Sequence, residues 1–336
     1  MKRKILVTGG LGYIGSHTII ALIQNDFQPI VVDNLSNSHK SVLFRMQEII
    51  GADIPFYELD ISNQEGLNDI IDRHQIEGII HFAAFKAVGE SVENPLMYYQ
   101  NNIGGLVSLL QSMEQKNLKN IVFSSSCTVY GEPDKLPVTE LSDIKPPTSP
   151  YGATKQMGEQ ILHDAKVNCI ALRYFNPIGA HESAMIGEMP SGIPNNLVPY
   201  VTQTAIGKRE KLTVNGVDYD TPDGTNIRDY IDVMDLAEAH VAALKYQIAN
   251  PQPFQTFNLG TGKGSSVLEI IKTFEKVNNI KLNYTVGPRR PGDVVKIFGD
   301  VTKANKILGW KSKRTLADSL KTSWDWEQNA SKIEKA

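Results

Sequence analysis

Cysteine is nearly absent from this chain of 336 residues: Cys127 and Cys169 are the only two, far apart and outside any CxxC pair. That spacing excludes a disulfide framework and a structural zinc site, and no metal-ligand cluster is read elsewhere. A charge excess of one sign is also missing. Lys+Arg 34 against Asp+Glu 37 leaves a net charge of −3. A chain so near neutrality has no global field for holding nucleic acid or an anionic membrane. No apolar run reaches the ~18 residues of a membrane span. After the basic start Met1–Lys4, the run Ile5-Leu6-Val7 is too short for a signal segment. The expectation is a soluble, cytoplasmic protein. With 41% hydrophobic and 21% charged residues, the composition is that of an ordinary globular chain.

What is present is a series of short apolar runs separated by longer amphipathic segments. The runs are Lys4–Thr8, Pro29–Asp33, Pro55–Leu59, Gly78–Ala83, Asn120–Ser125 and Asn168–Tyr174. Most are nearly continuous in apolar residues, as in strands covered on both faces. Spacers long enough for crossover helices predict an α/β fold, a Rossmann-type doubly wound parallel sheet. Near Asn176 the character shifts to Gly, Pro and Asn. The expected division is a dinucleotide domain of 1–176 with 230–260 returning to it. A smaller mixed α/β substrate domain takes 177–229 and 261–327. Residues 328–336 read as a frayed tail.

Thr8-Gly9-Gly10-Leu11-Gly12-Tyr13-Ile14-Gly15 follows the first strand and opens the first helix. Glycines at 10, 12 and 15 form Gly-x-Gly-x-x-Gly, and Gly9 adds to the turn. Such a turn lets backbone N–H groups approach a pyrophosphate at a helix N-terminus. The second strand ends in Asp33, eighteen residues after Gly15. An acid there accepts bonds from adenosine ribose hydroxyls and repels a 2′-phosphate, which favours NAD over NADP. Asp60-Ile61, after the third run, suits the adenine, with a helix N-cap as the plainer role for Asp60. Phe82-Ala83-Ala84 gives a small-residue strand end over which a cofactor can pass. Asn101 or Asn102, mid-helix where Asn is unfavourable, is a further candidate to face it.

Tyr151 and Lys155 stand as Tyr-x-x-x-Lys, on one face of a helix that the Ser149-Pro150 step would start. An unperturbed Tyr has a pKa near ~10 and is a poor base. A neighbouring ammonium and a positive nicotinamide both favour phenolate, and lowering the pKa by ~3 units takes about 4 kcal/mol. Alone, the pair is commonly just two exposed neighbours. Ser124-Ser125-Ser126 changes that weighting, because it ends the fifth run at the carboxyl edge, where a Ser can relay a proton.

Together these motifs resemble the extended short-chain dehydrogenase/reductase superfamily and, within it, the UDP-glucose 4-epimerase family. The resemblance rests on TGGLGYIGSHT (8–18), DNLSNS (33–38), HFAAFKAVGESVENP (81–95), FSSSCTVYG (123–131) and SPYGATK (149–155). It continues through LRYFNPIGAH (172–181), GIPNNLVPY (192–200), RDYIDVMDLA (228–237) and RRPGD (289–293). It implies tightly held NAD+ and transient oxidation at C4 of a UDP-hexose. The 4-keto sugar then turns over and the hydride returns, interconverting UDP-galactose and UDP-glucose. Tyr151 would exchange the O4 proton, Ser126 would bond that hydroxyl, and Lys155 would hold the nicotinamide ribose. Cofactor contacts are implied for Gly9, Gly12, Tyr13, Ile14, Gly15, Asp33, Asn34, Leu35, Ser36, Asn37 and Ser38. They extend to Asp60, Ile61, Phe82, Ala83, Ala84, Phe85, Lys86, Asn101, Ser126, Tyr151, Lys155 and Phe175. Substrate contacts are implied for Lys86, Ser126, Tyr151, Asn176, Asn196, Leu197, Thr213, Val214, Asn215, Arg228, Arg290, Asp293 and Ile297. No metal is implied. Arg228 and Arg290 would fork onto the diphosphate.

Two departures bear on the reading. Cys127 follows Ser126 where a smaller residue is usual, and Ile297 stands at the sugar-pocket gate, between the large and small residues that separate plain from N-acetylated hexoses. A UDP-N-acetylglucosamine 4-epimerase or dual-specificity enzyme is therefore the alternative, and a non-catalytic NAD sensor a distant one. A 4,6-dehydratase would need an acid and a base after Ser126, where Cys127-Thr128 stand. The family also implies a homodimer through helices around 94–116 and 151–166.

Overall fold

The computed structural model describes residues 2–190, 192–290 and 293–333. Seven strands form one sheet: β1 (Arg3–Thr8), β2 (Phe27–Asp33), β3 (Phe56–Glu58), β4 (Gly78–His81), β5 (Asn120–Ser124), β6 (Asn168–Tyr174) and β11 (Phe254–Leu259). Their order is β11-β6-β5-β4-β1-β2-β3, and every pairing is parallel. The chain walks outward from β1 to β3, then returns to β4 on the other side of β1. That reversal opens a crevice at the carboxyl ends of β1 and β4, where ligands bind in such sheets.

Successive side chains of β1 point to opposite faces. Ile5 and Val7 join the core under α1 (Tyr13–Gln24), α2 (Ser41–Ile50) and α9 (Val233–Ala249), whereas Leu6 joins the core under α3 (Gln64–His74), α6 (Gly105–Gln115) and α7 (Pro150–Asp164). Burial on both faces is why these strands read as continuous apolar runs. Short helices α4 (Val88–Glu93) and α5 (Pro95–Tyr98) precede α6. Between α5 and α6 the chain makes a π-turn over Tyr99–Gly104, so Asn101 and Asn102 lie in a local widening of the helix.

A separate apolar cluster includes Val198, Val214, Ile270, Phe274, Leu320 and Trp324. It lies among α8 (Leu197–Ala205), α10 (Val267–Asn278), α11 (Leu316–Ile333) and the parallel pair β8 (Leu212–Asn215) and β13 (Tyr284–Gly287). Pairs β7 (Asn176–Ile178) with β10 (Tyr230–Asp232), and β9 (Ile227–Arg228) with β12 (Ser265–Ser266) and β14 (Lys296–Ile297), complete the strands.

The frayed tail is not what forms. Gln328–Ile333 continues α11, while 334–336 lie outside the described residues. Trp326 and Ala330 are buried. Trp326 Nε1 donates to the Glu188 carbonyl at 2.9 Å and Asn329 Nδ2 to that of Ala184 at 2.7 Å. These anchors hold a segment whose composition alone suggested exposure.

Candidate active site at the crevice between the sheet and the second core

The glycine turn is tight because nothing larger fits. Gly9 has φ +68°, and a Cβ on it would stand 2.7 Å from the Ala83 nitrogen. A Cβ on Gly15 would stand 2.4 Å from the Gly9 carbonyl oxygen, backbone against backbone. This leaves the N-terminus of α1 open toward the crevice, with Tyr13 and Ile14 in its first turn. Tyr13 Oη donates to the Gly179 carbonyl at 2.6 Å and so ties this helix start to the segment after β7.

Asp33 is buried at the end of β2. Its Oδ2 accepts from Leu11 N at 3.0 Å, and its Oδ1 from Leu35 N at 3.0 Å and Ser38 Oγ at 2.8 Å. A carboxylate has about four acceptor positions, so one remains for a ribose hydroxyl. The same charge fixes the 34–38 loop, in which Leu35 has φ +59° and Asn34, Ser36 and Asn37 are exposed. These residues fit the adenosine end of NAD.

Asp60 is not the cap of α3; Asn63 is. Asp60 instead takes Asn34 Nδ2 at 2.7 Å and both polar groups of Ser62, bringing the two loops together. The Ile61 side chain points into the core, and its carbonyl accepts from Ser108, so only its backbone borders this edge. Beyond β4, Phe82, Ala83, Ala84 and Phe85 are half-buried along the crevice. Asn102 braces Phe85 through both backbone groups and donates to Thr154 Oγ1 at 3.1 Å, while Asn101 leans on Asn102 at 2.9 Å. Asn102 is the buried anchor and Asn101 its half-buried neighbour.

Ser149 caps α7 by accepting from Gly152 N at 3.1 Å, with Pro150 at the first turn. Tyr151 and Lys155 then share one face, and both are buried, unlike an exposed surface pair. Lys155 Nζ donates to the Ser124 carbonyl at 2.6 Å and lies 5.8 Å from the Tyr151 ring centroid. Ser126 caps the short 3₁₀ turn Cys127–Tyr130, and its hydroxyl lies near enough to the Tyr151 phenol to act on it. The three residues therefore meet at the carboxyl edge of β5.

Burial sets their electrostatics first. Burial pushes the Tyr151 phenol above its ordinary value, opposed by the nearby Ser126 hydroxyl. Burial also draws Lys155 down to about 8, against the pull of the Glu159 carboxylate. Burial is the dominant influence on the phenol, so Tyr151 is neutral with Lys155 alone beside it. A fixed positive charge beside the phenol is still required, and nicotinamide is such a charge. His81 is bonded to Thr8 and is held neutral by burial, at about 3; His181 bonds Ser183; neither faces a second ligand at metal spacing. Among the described residues no group of three or more His, Cys, Asp or Glu could hold a metal.

On the far side, β9 and β14 place Arg228 directly beside Ile297 in register. Asp293 gathers both guanidiniums: Arg290 Nη2 donates to its Oδ1 at 2.8 Å and Arg228 Nη2 stands 4.0 Å from it. Pro291 and Gly292 of the RRPGD motif lie outside the described residues. Ile297 is buried among Cys127, Val138 and Phe175. Asn176 enters β7, opposite Tyr230. On β8 the alternation turns Val214 into the second core, leaving Thr213 exposed and Asn215 half-buried. Val214 can meet a ligand only through its backbone. Leu197 packs on the same core, and Asn196, the N-cap of α8, is exposed.

Three residues of this region escaped the sequence reading. Glu188 accepts from Lys86 Nζ at 3.0 Å and from Asn196 Nδ2 at 2.7 Å, so it joins two predicted ligand contacts across the crevice. Nothing in its local sequence marks it. Tyr174 bonds Ser124 Oγ beside Tyr151; its place at the end of β6 was the available signal. Glu159, four residues beyond Lys155, was legible from the same helical spacing.

A family model described as GDP-mannose 4,6 dehydratase matches residues 6–323. The UDP-glucose 4-epimerase of Bacillus subtilis (strain 168) is 51% identical over 330 residues, covering 97% of each chain. The solved UDP-glucose-4-epimerase of Stenotrophomonas maltophila, with bound NAD and formylated UDP-arabinopyranose, matches at TM-score 0.96 and 42% identity, covering 98% of this chain and 99% of that one. That of Bifidobacterium longum, in complex with NAD+ and UDP, matches at TM-score 0.93 and 44% identity, covering 97% and 98%. The dehydratase name does not extend to the chemistry here, because Cys127 and Thr128 supply no carboxylate and burial pushes the Cys127 thiol up to about 12. Likeness over nearly the whole length, with Ser126, Tyr151 and Lys155 assembled at the sheet edge, places the chain in the UDP-glucose 4-epimerase family of the extended short-chain dehydrogenases/reductases.

Proposed function

We propose that this enzyme interconverts UDP-galactose and UDP-glucose by inversion at C4, with NAD resident in the crevice. The observation that carries the reading is the convergence of Ser126, Tyr151 and Lys155 between the glycine turn and the Arg228–Asp293–Arg290 cluster. When bound, NAD supplies a hydride acceptor that becomes the donor within one turnover, and its positive ring favours the Tyr151 phenolate. Gly9, Gly12 and Gly15 would pass the pyrophosphate and Asp33 the adenosine ribose. Tyr151 takes the O4 proton and returns it to the other face, with Ser126 orienting that hydroxyl. Lys155, held by the Ser124 carbonyl, presents its remaining protons to the nicotinamide ribose. The sugar must turn over between the two half-reactions. Firm attachment therefore belongs to the UDP, on Arg228, Arg290, Asp293 and the β8 edge.

This assigns residues 1–176 and 230–260 to the cofactor and 177–229 with 261–327 to the UDP-sugar. The test is purified protein with UDP-galactose and no added NAD, with UDP-glucose formation followed in time. Conversion supports the reading; no conversion by folded protein with added NAD+ sinks it. A sensor that reads NAD without turnover would be indifferent to Tyr151→Phe.

UDP-N-acetylglucosamine is the second substrate considered, favoured by Ile297, which is smaller than an aromatic gate and already packed on Phe175. Parallel rates on both UDP-sugars decide it. A second copy of the chain is the proposed partner. Val88, Val92, Leu96, Val107 and Met157 expose apolar side chains along α4 to α7, and a sedimentation mass of one chain would refute a dimer. The two cysteines are buried and unpaired, which suits the reducing cytoplasm proposed for it. No helix among the described residues is long and apolar enough to cross a membrane.

A further inference from the structure

Behind the catalytic residues lies a buried ion pair that the mechanism above does not use. Glu159 and Arg173 are each less than a tenth exposed. Arg173 grips the carboxylate in two places, Nε to Oε1 at 2.9 Å and Nη2 to Oε2 at 2.6 Å. Its Nη1 donates to Tyr130 Oη at 3.1 Å, and Tyr130 donates to Asn258 Oδ1 at 2.6 Å. Glu159 also accepts from Ser125 Oγ at 2.5 Å.

Two features make this pair more than a brace. Glu159 is the next residue of the Tyr151–Lys155 stripe on α7, one turn on. Ser125 lies between Ser124, whose carbonyl holds Lys155, and Ser126, which faces the reacting hydroxyl. We propose that Glu159 is a positioning residue for this chemistry: its carboxylate stands one helical turn from the Lys155 ammonium and pins the end of β5 through Ser125, beside the Ser124 carbonyl that holds Lys155. The proposal rests on reading Tyr151 and Lys155 as the proton-handling pair.

The surroundings of Lys155 leave Glu159 that task. From α7 it faces Tyr151 and Glu159. From β4 it faces neutral His81, and from β5 the Phe123 ring at 5.0 Å and the Ser124 carbonyl. Glu159 is the carboxylate that favours its charged form. Arg173, on β6, holds that carboxylate from behind.

The test uses the protein as purified with its cofactor. Glu159→Gln alone strands the Arg173 charge, so it is paired with the double variant Glu159→Gln/Arg173→Met, which removes both charges. Lysine labelled with ¹³C at Cε lets Lys155 be titrated by NMR, its signal identified by its loss in Lys155→Met. The Lys155 midpoint and the alkaline limb of kcat should both fall by ~1 pH unit in the double variant, with KM for UDP-galactose within twofold of the parent. An unmoved midpoint in a folded double variant overturns the proposal. Ser125→Ala, a small change that keeps both charges, should lower kcat about tenfold at unchanged KM through lost alignment. Where neither charge variant folds, parent-like kcat in Ser125→Ala overturns it instead. A parent that titrates normally but converts no UDP-galactose counts against the epimerase reading and leaves the NMR result to judge Glu159.

Discussion

Asp33→Asn tests the cofactor site most directly, because the carboxylate is committed on both oxygens. Oδ2 serves Leu11 N, while Oδ1 serves Leu35 N and Ser38 Oγ. An amide has one carbonyl oxygen. Placed at the Oδ1 position it keeps the loop contacts, but its NH₂ then faces the Leu11 N–H, donor against donor. One bond to a charged acceptor is lost and a buried N–H is left unsatisfied, a cost of about 2–3 kcal/mol. At about 1.4 kcal/mol per decade, that weakens NAD binding by about 30–140-fold if it falls on the bound state. Spread over the whole chain instead, it lowers Tm by about 3–4 °C. The assay is NAD released per chain from denatured, freshly purified protein, alongside Tm with and without added NAD. Loss of charge also removes repulsion of a 2′-phosphate, so the ratio of NAD to NADP affinity should narrow. An Asp33→Asn protein that carries one NAD per chain, melts like the parent and still rejects NADP would refute the reasoning.

Tyr151→Phe removes the proton-exchanging group without disturbing the glycine turn. Turnover should fall by about 10²–10⁴-fold with NAD content unchanged. Arg228→Lys should weaken UDP binding about tenfold by losing the planar fork, and Arg290→Lys less, since side-chain exposure is 17% at Arg228 and 61% at Arg290; calorimetry with UDP reads both. Ile297→Tyr should abolish any turnover of UDP-N-acetylglucosamine while sparing UDP-galactose, and equal loss on both sugars would remove Ile297 from the gate. Stability should fall as pH drops from 6.5 toward 5. His17, His81 and His240 are held neutral by burial, at about 3, 3 and 4. Depressed folded values mean that the unfolded chain binds more protons in this window, so stability present above 6.5 is lost on acidification. His74 and His181, also lowered by burial, add to this, while Asp232, raised by burial to about 6, and Asp229, raised likewise, oppose it. A urea midpoint that stays flat between pH 7 and 5 would contradict it.

Much of the fold was legible because the central strands are buried on both faces, and continuous apolar runs cannot be hidden by alternation. The run read as Asn168–Tyr174 is β6 to the residue. The run read as Gly78–Ala83 overshot β4, which ends at His81 where the chain leaves the sheet to line the crevice. For Asp60, read as an adenine contact with a helix cap as its plainer role, the plainer role falls away because Asn63, three residues on, offers the same chemistry at the true helix start. Val214 and Ile61 were carried over as ligand contacts, yet their side chains point into apolar cores, and which face a strand or loop residue presents depends on what packs beneath it.

Local chemistry in the sequence determined the glycine turn, the acid at the end of β2, the Ser149 cap and the Tyr151–Lys155 stripe. Each is a short-range pattern of backbone freedom, hydrogen-bond donors or helical period. Only the tertiary structure decided what long-range contacts control. It brought Asp293 to Arg228 and Glu188 to Lys86, and set Glu159 and Arg173 behind the catalytic helix. It also buried Tyr151 and Lys155 deeply enough for desolvation to dominate the proton affinity of each. Proton affinity depends on the dielectric and the charges around a group, and those surroundings are assembled from residues tens to hundreds of positions apart.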